Sequence, residues 1–491
     1  MKITIALITA TLSMANISGE FRPIKPDTAY ALTGATLITP GQNIPITDKV
    51  VLVRNGIIQS VQSHTKKLPA GFKKLDFTGK YIVPGYIDSH VHFFQSGSIF
   101  TRPDSFDYRA IQPYAQDRQW VKKHMGDSLN RYLKSGVTTV VDLCGPKWTL
   151  KIKATAQQQG MQAPRIFAAG TCLSSYTADS LSVGDGDPVY QKISTPDQAK
   201  EAVVSLVGHN ADLVKLIWSE DAGITPQGFH DLFKPAIDLA HQAGMKVAIH
   251  TQNLPYAKMA VRSGADMLVH GAMGDPIDDE FLTLLKQEGT IYMPTMIVHT
   301  KYGQIARQNF TFSQHEKDHT HPDILESFDL VLNEKDKAGQ LVKIFKRYLP
   351  YVDQDAAALS GLSEQEQALV GQLKGFFSHK VSKIQADNLL KLHQAAIPMA
   401  LGTDAGNPGV FHGASLLAEM RAWHQAGVPT AAILKAVTQT NAMVVSQGHR
   451  LGSLSAGKKA DLLILSKNPL ESVNNFAQID HVMKAGIWVK K

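Results

Sequence analysis

The sequence predicts an α/β fold, a (β/α)8 barrel of the TIM type carrying a small β-sandwich, on three observations. Short apolar strand candidates recur eight times, amphipathic stretches separate most of them, and both chain ends alternate apolar and polar residues with period two. At 491 residues and 44% apolar content the chain can bury a core of that size.

The ends come first. From about Ala29 to Gly79 the chain runs in short alternating strands with turn punctuation, as in YALTGATLITPGQ and KVVLVRNGIIQSV, and ADLLILS and HVMKAGIWVKK do the same near the C-terminus. Neither end is long enough to close a sandwich alone. They are therefore expected to pair, giving a composite β-sandwich domain from 20–83 and 446–491 around a barrel at 84–445.

Within the barrel the candidates are YIVPGYIDSH, GVTTVVDLCG, PRIFAAG, ADLVKLIWS, MKVAIH, ADMLVHG, TIYMPT and IPMALGTDAG. Several are rich in β-branched residues, as parallel strands buried on both faces require. About a hundred residues, 297–396, separate the seventh from the eighth. Their charged helical pattern, as in HPDILESFDLVLNEKDKAGQLVKIFKRYL, predicts a helical insertion over the barrel mouth; a solvated decoration with no part in catalysis is the alternative.

The net charge of +7 is scattered, with no basic block beyond pairs such as Lys122 and Lys123, so a nucleic-acid partner is excluded. The opening MKITIALITATLSMANISGE reads as a signal peptide over 1–19, which puts the product in a periplasm or outside the cell, or in the cytoplasm if the segment is retained. No later apolar run is long enough to span a bilayer. Cys144 and Cys172 could form one disulfide in an oxidising compartment. A symmetric homo-oligomer would be ordinary for such a chain.

Strand C-terminal ends converge on one site in this architecture. His90 and His92 end the first strand; with 19 histidines in the chain, one His-x-His pair alone decides nothing. The other ends add Lys215, His250, His270 and Asp404. Neutral imidazoles and a carboxylate suit zinc, manganese, cobalt or iron, and the set exceeds the need of one catalytic ion. Two divalent ions need a bridging anion. A neutral Lys215 amine could supply one by adding carbon dioxide to form a carbamate, helped by a low-dielectric strand position that depresses its pKa. Tyr292 and His299 lie close enough to the seventh strand end to contact a small-molecule substrate or simply to pack. His412, in FHGASLLAEM, could support the site from behind.

With VPGYIDSHVH, Lys215, His250, His270, LGTDAG and the tail TNAMVVSQGHRLGSLSAGKKADLLILSKNPL in place, the chain resembles the amidohydrolase superfamily, most closely its imidazolonepropionase-like and prolidase-like branch. The resemblance implies that His90, His92 and Asp404 hold a buried ion, that His250 and His270 hold a more exposed one, and that carboxylated Lys215 bridges them. It further implies a hydroxide between the ions as nucleophile and Asp404 as general base and then general acid. Two departures bear on substrate. The loop TCLSSYTADSLSVGDGD lacks the histidine that some members carry after the third strand, which weakens a dipeptidase reading, and HTQN lacks the glutamate of deaminase relatives. The expected activity is hydrolysis of an amide-type C–N bond in an N-acyl amino acid or dipeptide-like molecule. The alternatives are a lactonase, esterase or phosphotriesterase on the same two ions, a mononuclear amidohydrolase, or a binding protein that has kept the barrel.

Overall fold

The run YIVPGYIDSH, read above as one strand, folds as two. In the computed structural model, which describes residues 29–156, 162–219, 223–333 and 339–489, Tyr81–Pro84 pairs antiparallel with Leu462–Leu465 and Tyr86–Val91 pairs in parallel with Val137–Asp142. Gly85 makes the break. A Cβ there would collide with the Thr138 side chain, so only glycine lets the chain pass from one sheet to the other at this spot. The signal-peptide reading of 1–19 lies outside the described residues.

Both chain ends meet in two sheets. One orders Ile57–Ser63, Lys49–Arg54, Tyr30–Thr33 and Lys73–Asp76; the other orders Ile487–Trp488, Ile479–Lys484, Leu462–Leu465, Tyr81–Pro84 and Thr36–Leu37. Leu32, Val51, Val53, Ile82, Leu462, Ile464 and Met483 form one buried cluster between them, drawn from both ends of the chain. Alternation in the sequence thus becomes one apolar face per sheet.

The other strands are parallel. Tyr86–Val91, Val137–Asp142 and Arg165–Ala168 form one series, and Cys172–Ser174, Leu213–Ile217, Lys246–Thr251, Met267–His270 and Ile291–Met293 form a second, with Tyr190–Lys192 at its edge. Asp212 joins them: its N–H donates to the Ala168 carbonyl and its carboxylate accepts from the Ala168 N–H, both at 2.8 Å. The helices between start on a repeated signal, a capping Thr or Asn with proline in the first turn, at Pro196–Gly208, Pro226–Gln242 and Leu254–Arg262.

The eighth candidate, IPMALGTDAG, is not a regular strand. Its backbone bonds to both neighbours, with Ala400 N–H on Tyr292 O at 2.9 Å on one side and His92 N–H on Ala405 O and Asp404 N–H on His90 O, each at 2.8 Å, on the other. Side chains interrupt the ladder: Leu401 N–H donates to Asn441 Oδ1 at 2.9 Å, and the Thr403 N–H and hydroxyl donate to the Asp88 carboxylate at 3.0 and 2.7 Å. Asp404 then turns left-handed, with φ of 61°. Periodicity cannot show this, because the partners lie more than 300 residues away for Asp88 and 40 away for Asn441.

One buried cluster joins the three strands of the first series, four of the second and the last segment: Ile87, Val141, Phe167, Leu213, Ala248, Val269, Met293 and Ala400. Side chains two apart on a strand share a face, so the lysine after Leu213 and the histidine after Ala248, at 215 and 250, point into the same interior.

Among the described residues between Met293 and 398 the chain is mainly helical, from Met296–Ala306 to His379–Gln394. This insertion is more than a decoration. Ile305, Ile324, Phe328, Phe345 and Phe377 build a buried cluster with Ile99, Phe100 and Phe106 from the loop after the first parallel strand and Phe411 from the loop after the last. Among the described residues no helix is long and apolar enough to cross a membrane.

Cys144 and Cys172 are joined, with their Cα atoms 5.3 Å apart, and tie the loop after Val137–Asp142 to the third strand. The bridge spans 28 residues, a loop whose cross-linking restricts the unfolded chain by about 3 to 4 kcal/mol. Urea unfolding of Cys144→Ser/Cys172→Ser is expected to show a stability loss of that order; an unchanged midpoint would contradict it.

Candidate metal centre

Asp404 stands at the middle of the histidines. Its Oδ1 lies 2.8 Å from His92 Nε2 and 3.3 Å from His90 Nε2, its Oδ2 lies 3.8 Å from His270 Nε2, and the two Nε2 atoms of His90 and His92 are 3.1 Å apart. The His250 ring sits against that of His270, centroids 4.5 Å apart. All four are well buried except His250, which is half-buried. Lys215 is 2% exposed, and its Nζ has no hydrogen-bond partner among the described residues.

The tautomers follow from what lies behind each ring. The Cys144 carbonyl, 3.0 Å from His92 Nδ1, can only accept, so the neutral ring carries its proton there and presents a lone pair at Nε2. His270 Nδ1 donates to the Thr295 hydroxyl, which itself donates to the Pro294 carbonyl at 2.8 Å, so His270 Nε2 is also a lone pair. Lone pairs and a carboxylate oxygen therefore face one another at contact distance. Such an arrangement is repulsive unless cationic charge lies among the atoms. Four donors around one ion at about 2.1 Å stand roughly 3.4 Å apart, close to the spacings seen here. The residues fit a divalent ion.

Electrostatics agree. Burial holds His90 and His250 well below the ordinary imidazole range and His270 at about 4, so these rings are neutral at pH 7. For Lys215, burial lowers the ammonium to about 7 against the opposing pull of Asp404. A neutral amine is thus accessible near neutrality.

Tyr292 is buried, and its hydroxyl is engaged with backbone, donating to His270 O and accepting from Ala272 N–H, both at 3.0 Å. It fixes the turn at Gly271 after His270. His299 is buried with Nδ1 3.2 Å from Ser382 Oγ. His412 packs behind the His92 loop, with Nδ1 on the Tyr132 hydroxyl and Nε2 on the Gln95 carbonyl, each at 2.8 Å.

Two supporting residues escaped sequence reading. Thr295, held at φ of 47°, orients His270. Glu419 is fully buried and accepts from the Met296 and Ile297 N–H groups and the Trp423 indole, all at 2.9 Å, so it caps the helix that begins beside Thr295. A glutamate 124 positions beyond the threonine it serves leaves no local signal; only a buried acid in an apolar helix hints at it. Thr295→Val is expected to weaken metal binding about 10- to 100-fold, the usual loss when a ligand's outer partner is removed. Metal titration of the apo-protein checks it, and unchanged affinity would remove Thr295 from the site.

Comparison with known proteins follows the same lines. Over 489 residues the chain is 20% identical to the ochratoxinase of Aspergillus niger, covering 92% of this chain and 85% of that one. It is 25% identical over 270 residues to the imidazolonepropionase of Chromobacterium violaceum, covering 49% and 61%. A solved Xaa-Pro dipeptidase with bound methionine in its active site superposes with a TM-score of 0.65 at 20% identity, covering 94% of this chain and 99% of that one, which is a likeness of fold. Residues 81–489 match the model of the amidohydrolase family, and the chain belongs to that family of hydrolases acting on C–N bonds.

Proposed function

We propose that this enzyme is a binuclear metal-dependent hydrolase cleaving an amide-type bond in a small N-acyl amino acid or dipeptide-like substrate. The observation that carries the proposal is the convergence of His90 Nε2, His92 Nε2 and Asp404 Oδ1 within 3.3 Å, beside a buried Lys215 amine with no hydrogen-bond partner among the described residues. His90, His92 and Asp404 would hold one ion, His250 and His270 the other, with Lys215 as a carbamate between them. When bound, such ions lower the pKa of a water and polarise a carbonyl.

The chain's own groups do the rest. Lys215 Nζ, whose neutral form is accessible near pH 7, would form a C–N bond to carbon dioxide and lose a proton, which turns an uncharged amine into the anion two ions require. Asp404 Oδ2 lies on the His270 side, 3.8 Å from His270 Nε2. There it accepts the proton of the attacking water and returns it to the leaving nitrogen as the bond breaks. Thr295 and Cys144 O keep His270 and His92 in the tautomers that leave Nε2 free.

Backbone bonds from Asp212 to Ala168, Ala400 to Tyr292 and Asp404 to His90 support a closed eight-stranded barrel, its last segment joining the seventh strand to the first, with 20–83 and 446–491 as the second domain. The Cys144–Cys172 bridge favours an oxidising compartment and so the exported reading of 1–19. A panel of N-acyl amino acids, dipeptides and lactones tests the substrate class. Amide cleavage exceeding lactone cleavage in kcat/KM is expected; the reverse order would favour a lactonase.

A further inference from the structure

A second group of metal-capable side chains, made of other residues, lies where the helix Tyr114–Lys134 meets the insertion. His124 in that helix, His321 just before the helix Pro322–Asn333 and Asp323 in its first turn each place a donor atom within 4.8 Å of the others. His124 Nδ1–H donates to the Trp120 carbonyl at 2.9 Å, so its Nε2 keeps a lone pair, the device already seen at His92. The Trp120 indole N–H donates to Asp323 Oδ2 at 2.9 Å, which leaves Oδ1 facing His321 Nδ1 at 3.5 Å. That spacing matches the roughly 3.4 Å edge of a tetrahedral site with bonds of about 2.1 Å. His321 Nδ1 also takes a 3.2 Å contact from the Asp323 N–H, the one bond an ion would displace.

The surroundings hold this geometry. The Trp120 ring lies 4.3 Å from His124 and meets His321 edge-on at 5.1 Å. Partial burial lowers His321, and the indole hydrogen bond lowers Asp323, so the imidazole is neutral and the carboxylate ionised at pH 7. A Trp–Asp bond would dock the two helices without either histidine; the histidines need another reason.

We propose that His124, His321 and Asp323 form a further divalent-metal site of the zinc class, with water completing the shell, that pins the insertion to the helix Tyr114–Lys134. The clamp reaches the catalytic face. In the helix Pro322–Asn333, Ser327 Oγ accepts from the Ile99 N–H at 3.1 Å and Phe328 packs in the cluster with Ile99, Phe100 and Phe411. Occupancy therefore steadies the loop that follows His92.

The test is equilibrium dialysis of the full chain, without a polyhistidine tag, against zinc, comparing wild type with His124→Gln/His321→Gln. Ions held at His90, His92 and their partners cancel in the difference. Wild type is expected to bind one more equivalent, and zinc is expected to slow hydrogen exchange across 322–333 in wild type alone. Asp323→Asn keeps an oxygen for the indole, so it preserves docking even if the double variant does not fold. It is expected to weaken the extra equivalent at least about tenfold, the loss that even an outer-shell change produces. Equal zinc equivalents in folded wild type and variants, or exchange across 322–333 in wild type indifferent to zinc, would overturn the proposal.

Discussion

Asp404→Asn is expected to lower kcat by about 10²- to 10⁴-fold, the range a positioned proton-transfer group supplies, while leaving the fold intact. Asparagine adopts the left-handed backbone that residue 404 requires at φ of 61°, so the substitution removes the charge and the proton shuttle without disturbing the turn. It also keeps one oxygen donor toward His90 and His92, so most of the metal should remain. Steady-state kinetics with circular dichroism and elemental analysis checks this. Retained turnover would remove Asp404 from proton transfer; lost structure would make it a folding residue.

Lys215→Ala carries the second large effect. The amine has no hydrogen-bond partner among the described residues, so its removal breaks no bond there and opens a buried space. Activity should fall to near background and metal content with it, and acetate or propionate should restore a measurable fraction by placing a carboxylate where the carbamate would lie. In the wild type, reconstitution of metal-free enzyme with metal at a fixed concentration of dissolved carbon dioxide should quicken from about pH 6 to pH 8, because burial brings the Lys215 amine to about 7 and only its neutral form adds carbon dioxide. Full activity and metal in Lys215→Ala would refute the bridge.

The positions that converge were legible because each ends a short apolar run, and period two carries Leu213 to Lys215 and Ala248 to His250 on one face. What the sequence hid depends on distant partners. Gly85 splits the first run because Thr138 stands against it, and the stretch around Thr403 loses strand geometry because Asp88 and Asn441 take its N–H groups. Pattern within a window cannot report a bond to residue 88 or 441. Likewise the charge pattern of 297–396 left open an insertion over the mouth or a solvated decoration, and it is Phe328 and Phe345, buried against the loops at the site, that favour the first. Thr295 and Glu419 show the same limit: the groups that orient His270 come from other elements.

The measurement that tests the central claim most directly is anomalous diffraction, at the absorption edge of the bound metal, from crystals of the enzyme purified without chelator. The account predicts two peaks in the interior, one among His90, His92 and Asp404 and one beside His250 and His270, with density continuing from Lys215 Nζ between them. A single interior peak with a plain lysine side chain, or none, would contradict it.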